Sequence, residues 1–390
     1  MIPVEEALAR IFALCAPLSH ETVPLARAAG RVLARPVTAA RDQPPFAASA
    51  MDGYAVAGPV SSGQSFRVIG EAGAGHAFAG RIGPGEALRI FTGAPLPAGA
   101  DRVLIQEDVR RQGDRITLGD GLDQAAHIRP AGADFSAGDR LSAPRRLRPV
   151  DLALIAAMGQ AEVTVTRRPV VALIATGDEL VMPGMPPAPD QITASSVFAL
   201  KAMVEAAGAE ARLLPIALDD AAHLRTVLEL AAGADMIVTT GGASVGDHDL
   251  VRPVAQGLGA ELSLWKIAMR PGKPLMAGRL LDAVLLGLPG NPVSALVCAQ
   301  LFMLPALRAL LGLGAMPQPT HGGILAADIG PNGPRAHYMR AVREPDGRIR
   351  ALPRQDSALL SVLSEADALL IRPPHDPARV AGHPVRWLSL

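Results

Sequence analysis

Between residues 169 and 318 the hydrophobic positions alternate between two periodicities. The run Val170–Thr176 is apolar almost throughout, as expected of a strand buried on both faces, and helical spacing follows it at Ser195–Ala207. The alternation continues and predicts the strands Arg212–Leu218, Met236–Thr240, Glu261–Ile267 and Val284–Leu286 and the helices Asp220–Ala232, Leu250–Gly257 and Pro292–Leu311. Strands and helices in this order indicate a doubly wound, mostly parallel α/β domain over residues 169–318.

The flanking segments have a different pattern. Residues 44–129 contain short apolar segments separated by frequent glycines, which predicts a small β-barrel or sandwich. Residues 319–390 return to short strands and turns, with Asn332-Gly333 and Asp346-Gly347 as hairpin signals, and predict a C-terminal β-domain. The remaining predicted elements are the helices Val4–Cys15 and Pro149–Met158 and the strand Glu162–Thr166.

Composition narrows the classes of function. The chain of 390 residues has 37 basic and 37 acidic residues, and a net charge of zero argues against a general nucleic-acid binder. Its two cysteines, Cys15 and Cys298, exclude a disulfide scaffold and a four-cysteine zinc site. No apolar signal core opens the chain, and polar residues and a proline interrupt the long apolar stretch Ala295–Leu311. We therefore expect a cytoplasmic protein that has neither a membrane nor a nucleic-acid partner.

Ligands of open α/β sheets lie beyond the carboxyl ends of the strands, so the residues that follow each predicted strand are candidates for a site. The first such string, Ala175–Leu180, contains Thr176, a glycine turn at Gly177, and the carboxylates of Asp178 and Glu179. Taken alone, this string fits a solvated acidic turn as well as it fits a site.

A second string follows the predicted strand Met236–Thr240. Its paired glycines, Gly241 and Gly242, allow backbone N–H groups to approach a ligand closely. Ser244 comes next, and the carboxylates of Asp247 and Asp249 suit a hard cation such as Mg²⁺. The string therefore predicts a loop that cradles a phosphate beside a divalent cation.

The third string, Trp265–Pro274, concentrates positive charge. Lys266, Arg270 and Lys273 lie within eight residues, and the string holds two of only three lysines in the chain. Two prolines stiffen it. In a protein without net charge, this cluster predicts a specific site for an anionic ligand.

The fourth string, Gly287–Ser294, begins the last predicted helix of the α/β region. Asn291 suits the N-cap position and Pro292 the first helical position, and helix N-termini attract anions. Plain capping without a ligand is the simpler interpretation of this string alone. The other candidate ligand-binding residues here are Pro289, Gly290 and Ser294.

Together the four strings place backbone amides, cations and carboxylates on one rim, which suits a phosphorylated ligand with a divalent cation. A Rossmann dinucleotide site is excluded because no G-x-G-x-x-G motif follows the first strand, and there is no Walker P-loop.

Three strings of the N-terminal half join these four in an order that matches a known family. The seven strings are S-A-M-D-G-Y-A-V (49–56), T-G-A-P-L-P-A-G-A-D (92–101), R-P-A-G-A-D-F (129–135), A-T-G-D-E-L (175–180), T-T-G-G-A-S-V-G-D-H-D (239–249), W-K-I-A-M-R-P-G-K-P (265–274) and G-L-P-G-N-P-V-S (287–294). On these motifs, which span residues 45 to 300, the chain resembles the MoeA and gephyrin E-domain family of molybdopterin molybdenumtransferases.

The resemblance implies an architecture in four parts and a homodimer. The implied parts are an elongated N-terminal region (1–43 and 130–168), an inserted β-domain (44–129), the α/β molybdopterin-binding domain (169–318) and a C-terminal β-domain (319–390). It also implies that the site lies between the α/β domain of one subunit and the N-terminal half of the other.

The resemblance also implies the reaction. Molybdate would join the dithiolene sulfurs of adenylylated molybdopterin, and the adenylate would be released as AMP in a step that requires Mg²⁺. Molybdopterin adenylyltransferase and molybdoenzyme-maturation proteins are candidate protein partners.

Residue roles follow from the same resemblance. Lys266, Arg270 and Lys273 would hold molybdate and the pterin phosphate by charge-assisted hydrogen bonds, and the glycines with Asn291 would cradle phosphate. The implied catalytic residues are Asp52, Asp134, Glu179, Asp249, Lys266 and Arg270. The implied metal ligands are Asp52, Glu179, Asp247 and Asp249. The implied substrate-binding residues are Thr176, Gly177, Asp178, Gly241, Gly242, Ser244, Lys273, Pro289, Gly290, Asn291, Pro292 and Ser294.

Some positions in these implied roles are ambiguous or depart from the family. Asp52 and Asp134 would act from the partner subunit, and an essential acid after the second α/β strand maps to either Asp219 or Asp220. Ala194 and Ser196 stand where the family has an S-N-S-like string, and Asp356-Ser357-Ala358 replaces G-S-G. The departure at Ala194 and Ser196 favours an alternative, a non-catalytic molybdopterin-binding or scaffold paralogue of the same fold.

Overall fold

The computed structural model describes residues 1–242 and 250–390. After the amphipathic helix Val4–Phe12, the N-terminal region forms a four-stranded antiparallel sheet from two separate stretches of chain. In spatial order its strands are His20–Pro24, Glu162–Thr166, Val32–Leu33 and Arg145–Arg146. Beyond it, Val37–Thr38 pairs with Arg140–Leu141, so the chain leaves and re-enters this region side by side. The helix Pro149–Ala157 packs Ile155 into the local core.

The intervening residues form a second sheet with a hydrophobic cluster on each side. Its six strands in order are Arg102–Ile105, Gly53–Val56, Glu86–Ile90, Ser65–Ala72, Arg115–Leu118 and Val109–Gln112. Tyr54 and Phe66 belong to one cluster, and Ala55 and Leu88 belong to the other, as the two-residue side-chain period of a strand requires. The pair Ala48–Ser49 and Ile128–Arg129 joins the entrance and exit of this region, and the 3₁₀ turns Leu25–Arg27 and Gln106–Asp108 complete the N-terminal half.

The third sheet has the predicted α/β character with one correction. Its strands in order are Glu210–Leu213, Val170–Ala175, Met236–Thr240, Ala283–Leu288, Pro274–Leu280 and Glu261–Lys266. The first four are mutually parallel. Pro274–Leu280 runs antiparallel to both of its neighbours, Ala283–Leu288 and Glu261–Lys266. The sequence analysis missed Pro274–Leu280, because the hairpin that follows it turns at Leu281 and Asp282, with φ of 49° and 65°, instead of at Asn-Gly. The predicted strand Arg212–Leu218 was too long at its carboxyl end.

Helices cover both faces of this sheet and confirm the doubly wound arrangement. The helix Ser196–Ala206 and the helical stretch Pro292–Leu310 pack in the core of one face, through residues such as Leu200 and Phe302. The helices Ala221–Glu229 and Val251–Gly257 pack against the other face. The stretch Pro292–Leu310 consists of Pro292–Cys298, a π-helical segment Ala299–Met303, and Leu304–Leu310. The stretch is long and apolar enough to span a membrane, but 78% of its most apolar segment is buried inside the protein, so it is a core helix.

The C-terminal sheet includes a strand from the α/β region. Its main path is Met269–Arg270, Ala336–Arg343, Ala368–Arg372, Pro384–Ser389 and His321–Ile324, with Ile349–Ala351 added beside the second strand. A short helix, Leu360–Glu365, packs near it. Asp346-Gly347 does form the predicted hairpin turn, with Gly347 at φ 84°. Asn332-Gly333 does not, because the strands on either side of it do not pair with each other, and Asn332 is buried. A last parallel pair, Leu180–Val181 with Ile192–Thr193, lies beside the α/β sheet.

Candidate active site

A cavity of about 650 Å³ lies between the carboxyl ends of the parallel strands and the C-terminal sheet. Gly241 and Gly242 follow the strand Met236–Thr240, and Pro289–Asn291 follow the strand Ala283–Leu288, so two strand ends open into it. We call this space the rim cavity. It is lined by Gly241, Gly242, Arg270, Pro271, Gly272, Lys273, Pro274, Pro289, Gly290, Asn291, Ser294, Arg335, His337, Gln355, Asp356 and Ser357.

Glycine at 241 is required by the close approach of neighbouring strand ends. Gly241 has φ 95°, and a Cβ there would lie 2.5 Å from Oγ1 of Thr176 and 2.8 Å from its carbonyl oxygen. The N–H of Gly241 donates to the carbonyl of Leu288. Gly290 in turn lies close to Gly241, since a Cβ on Gly290 would be 3.6 Å from the Cα of Gly241. The backbone, and not side chains, therefore forms this wall of the cavity.

The N-terminus of the closing helix forms the adjoining edge. Asn291 occupies the predicted N-cap position with extended backbone, but its side chain makes no capping hydrogen bond. Among the described residues, the N–H groups of Gly290 and Asn291 have no acceptor, whereas the N–H of Val293 donates to the carbonyl of Ser357. The predicted capping role of the Asn291 side chain is wrong, and bare N–H groups remain beside the cavity.

Positive charge predominates among the lining side chains. Of the described residues, Arg270, Lys273 and Arg335 line the cavity with a single carboxylate, that of Asp356. None of the three cations forms an ion pair within the described ranges 1–242 and 250–390. Partial burial, followed by repulsion from Arg335 and Arg372, lowers the pKa of Arg270 below its ordinary value. A region with this excess of positive charge favours an anion.

His337 lies at the same wall and is uncharged at neutral pH. Burial, followed by the positive charges of Arg270, Arg340 and Arg372, lowers its pKa to about 3. The neutral ring can therefore lie beside arginines without adding to their repulsion.

The structure brings about half of the predicted site residues to the rim cavity. Those that line it are Gly241, Gly242, Arg270, Lys273, Pro289, Gly290, Asn291 and Ser294. Those that are described but do not line it are Asp52, Asp134, Thr176, Gly177, Asp178, Glu179, Lys266 and Pro292. Ser244, Asp247 and Asp249 lie outside the described residues.

Lys266 is exposed at the end of its strand. It pairs across the antiparallel ladder with Pro274, which does line the rim cavity. Directly paired residues on neighbouring strands place their side chains on the same face, so Lys266 lies next to the cavity.

The first string lies at the neighbouring strand end. Oγ1 of Thr176 donates to the carbonyl of Thr240, which joins this string to the one that begins at Gly241. Oδ1 of Asp178 accepts from the N–H of Asp219, and Glu179 is exposed. Asp220 caps the helix Ala221–Glu229 by accepting from the N–H of His223. This capping commits Asp220 to a structural contact.

Asp52 and Asp134 lie in the N-terminal half. Oδ1 of Asp52 accepts 2.8 Å hydrogen bonds from both the N–H and the Oγ1 of Thr92, and these bonds lower the pKa of Asp52. Its neighbour Gly53 cannot be another residue, because a Cβ would lie 1.8 Å from the carbonyl oxygen of Leu104. Asp134 is exposed, and its N–H donates to the carbonyl of Gln43. Asp52 is therefore an ionised carboxylate in a fixed position.

No group of three or more His, Cys, Asp or Glu side chains that could hold a metal ion forms within the part of the chain that the structure describes. The predicted metal ligands Asp52 and Glu179 lie in separate loops: Asp52 precedes the strand Gly53–Val56, and Glu179 precedes the strand Leu180–Val181. Their carboxylates are hard oxygen donors of the type that Mg²⁺ prefers.

The C-terminal wall was not predicted from the sequence. Arg335, His337, Gln355, Asp356 and Ser357 reach the rim cavity because the strand Met269–Arg270 pairs in parallel with Ala336 and His337. One signal was available: the string Asp356-Ser357-Ala358, noted as a departure, lies at the cavity.

Family models match the chain in three segments. Residues 2–159 match the MoeA N-terminal region (domain I and II), residues 172–309 match a probable molybdopterin binding domain, and residues 323–390 match the MoeA C-terminal region (domain IV).

Whole-length relatives agree with these models. The chain is 35% identical to a molybdopterin molybdenumtransferase from Nostoc sp. over 95% of this chain and 88% of that protein. It is also 35% identical to molybdopterin molybdenumtransferase 2 from Mycobacterium tuberculosis, over 97% of this chain and 96% of that one. A crystal structure of a molybdopterin biosynthesis MoeA protein from Pyrococcus horikoshii superposes with a TM-score of 0.82, 30% identity and coverage of 100% of this chain and 99% of that one.

Proposed function

The chain belongs to the MoeA family of molybdopterin molybdenumtransferases, and on that premise we propose how its rim cavity takes part in the reaction. It is an enzyme of molybdenum-cofactor biosynthesis, and the alternative of a non-catalytic scaffold gains no support from its relatives. The proposed substrates are molybdate and adenylylated molybdopterin. Molybdate joins the dithiolene sulfurs, and the adenylate leaves as AMP.

The observation that carries this proposal is the set of three cations around the rim cavity, which form no ion pair with any residue that the structure describes. Molybdate is a small dianion, and the pterin phosphate is also an anion. Arg270, Lys273 and Arg335 would hold them with charge-assisted hydrogen bonds, each worth roughly 1.5–3 kcal/mol. The N–H groups of Gly290 and Asn291 supply neutral donors for the remaining oxygens.

Acidic residues would bind Mg²⁺ beside the adenylate group of adenylylated molybdopterin. We assign Glu179, with Asp247 and Asp249, to binding Mg²⁺, which when bound would neutralise phosphate charge during hydrolysis. Of the two candidate acids after the second α/β strand we favour Asp219, because the side chain of Asp220 is engaged in helix capping. Glu179 is exposed and is free to orient a water or a cation.

We propose that the enzyme is a homodimer in which each site is completed by the partner. The support is that Asp52 and Asp134 do not line the rim cavity of their own chain, although Asp52 is held ionised by Thr92. In the proposed dimer, their carboxylates face the cavity of the second subunit and orient the substrate or ligate Mg²⁺. The proposed location is the cytoplasm, where molybdopterin adenylyltransferase and molybdoenzyme-maturation proteins are the candidate protein partners.

The anion site is tested with Arg270→Ala and Lys273→Ala. AMP release from adenylylated molybdopterin is measured as a function of molybdate concentration. Each variant should lower kcat/KM for molybdate by about 100-fold. The matched control is Arg225→Ala, which removes an exposed arginine that pairs with Glu229 on the helix Ala221–Glu229 and does not line the cavity. Activity near that of the control in both variants would refute the proposed site.

The shared site is tested by mixing two inactive homodimers, Asp52→Ala and Arg270→Ala. If Asp52 acts on the partner, each mixed dimer has one site with both lesions and one intact site. Random exchange of subunits should then restore about a quarter of the wild-type activity. If Asp52 acts within its own chain, mixing restores nothing.

A further inference from the structure

Arg270 owes its position to the C-terminal sheet. The segment from Trp265 to Pro274 leaves the α/β sheet after Lys266 and returns to it at Pro274. Between these points, Met269 and Arg270 form a two-residue strand that pairs in parallel with Ala336 and His337 of the C-terminal sheet. The backbone of Arg270 is thus fixed by one sheet, while its side chain lines a cavity shared with the other.

The guanidinium of Arg270 is held by Asn332. Nη2 of Arg270 donates to Oδ1 of Asn332 over 3.1 Å. Asn332 is buried, with 9% of its surface exposed, and it does not line the rim cavity. Its contact with substrate is therefore indirect, through Arg270.

The orientation of the Asn332 amide is determined by its other contacts. Nδ2 donates to the carbonyl of Arg335 at 2.9 Å, of Arg372 at 3.3 Å and of Pro373 at 2.6 Å. Carbonyl oxygens accept and cannot donate, so a flipped amide would place its oxygen against three acceptors. Oδ1 must therefore face Arg270. The backbone N–H of Asn332 also donates, to the carbonyl of Asp376.

We propose that Asn332 is a positioning residue that orients Arg270 for binding the molybdate oxyanion in the rim cavity. The proposal rests on the proposed function, in which Arg270 binds that anion. A free arginine side chain samples many rotamers, and each productive hydrogen bond requires one of them. Asn332 selects the productive rotamer in advance, and it does so without charge, so the guanidinium keeps its full charge for the substrate.

The experiment separates molybdate affinity from turnover. Asn332→Ala should raise the KM for molybdate by about tenfold to one hundredfold and change kcat by less than about threefold. Titration calorimetry of the full-length protein with molybdate alone should show an equal loss of affinity. The double variant Asn332→Ala/Arg270→Ala should bind molybdate no more weakly than Arg270→Ala, because Asn332 acts only through Arg270.

A second variant keeps a hydrogen-bond donor in case Asn332→Ala does not fold. Asn332→Ser retains a hydroxyl that can donate to one of the three carbonyls, but it is too short to hold the guanidinium of Arg270 as well, so the KM for molybdate should rise as much as in Asn332→Ala. The control is Asp376→Ala, on the loop whose Asp376 carbonyl accepts from the N–H of Asn332; it removes the ion pairs to Arg372 and Arg379 without touching Arg270. It should lower stability and leave the KM for molybdate unchanged.

The possible outcomes separate the positioning role of Asn332 from the proposed anion site itself. If Arg270→Ala weakens molybdate binding and the folded Asn332 variants do not, the positioning role is wrong and the proposed anion site stands. If Asp376→Ala raises the KM as much as Asn332→Ala, Asn332 serves only the stability of the loop and the inference is overturned. If Arg270→Ala itself leaves molybdate affinity intact, both proposals are wrong.

Discussion

The two walls of the rim cavity are built on opposite principles. The α/β wall is made of backbone: Gly241 and Gly290 bring strand ends close together and leave N–H groups bare. The C-terminal wall is made of long side chains on a sheet, with Arg335 and His337 as its lining residues. The first wall supplies shape and neutral donors, whereas the charge comes from side chains: Arg335 of the second wall, with Arg270 and Lys273 of the segment between the two sheets. An oxyanion needs both, because charge attracts it and fixed donors orient it.

This difference predicts that the α/β wall tolerates no added side-chain atom at Gly241, where strand ends meet. Gly241→Ala should lower the free energy of unfolding by about 3 kcal/mol, since the Cβ would overlap Thr176 and φ is 95°. The control on the same wall is Gly290→Ala, whose Cβ would make only ordinary contact at 3.6 Å. Urea unfolding of the two proteins measures the difference. Equal stability of the two variants would contradict a wall defined by backbone packing.

A substitution in the C-terminal wall should instead weaken molybdate binding and leave the stability of the fold nearly unchanged. Arg335→Ala should raise the KM for molybdate by about 50-fold, or roughly 2 kcal/mol, with an unfolding midpoint close to that of the wild type. Its control is Arg343→Ala, an exposed arginine of the same sheet that pairs with Asp367. A KM unchanged from this control would remove Arg335 from the site.

The lowered pKa of His337, a residue of the C-terminal wall, predicts that the free energy of unfolding depends on pH. Its folded pKa of about 3 lies below the ordinary value of 6.5, so between these values the unfolded chain binds more protons than the folded one. Stability therefore falls as the pH is lowered through this window, by an amount on the order of 2 kcal/mol for this group. Urea unfolding at pH 7 and pH 4.5 should show a smaller loss for His337→Asn than for the wild type. Parallel pH profiles would show that the ring titrates normally.

Ser357 should give the smallest effect, because it offers only a neutral hydroxyl beside the cations. Ser357→Ala should raise the KM for molybdate by about fivefold, or roughly 1 kcal/mol. Ser361→Ala, on the following helix Leu360–Glu365 and outside the cavity lining, is the control. An effect as large as that of Arg335→Ala would mean that the comparison of neutral and charged groups is wrong.

The same two walls differ in how far they were predictable. The residues of the α/β wall follow strands directly, and strand ends of a parallel sheet meet at one edge, so Gly241, Gly242 and Gly290 could be assigned together from sequence. Arg335 and Ser357 follow no α/β strand. They reach the cavity through the pairing of Met269–Arg270 with Ala336–His337, and a two-residue strand has too little pattern to predict its partner.

Asn332 also shows that a local sequence signal does not decide a contact between distant segments. Asn-Gly is a strong hairpin signal because both residues tolerate positive φ. Here the strands on either side pair elsewhere, and the Asn332 amide binds three carbonyls and Arg270. The missed strand Pro274–Leu280 is the converse case, since it enters a hairpin through Leu281 and Asp282, which carry no such signal.

The pattern of residues along the chain by itself determined the α/β class, the positions of most strands and helices of that region, and the cationic string. These properties depend on neighbours in the chain, on side-chain periodicity and on the chemistry of each residue type. Only the tertiary structure decided that the C-terminal sheet closes the cavity, that Arg270 is held by Asn332, and that Asp52 lies away from the cavity of its own chain. Such contacts join residues far apart in sequence, and their geometry depends on how whole sheets pack.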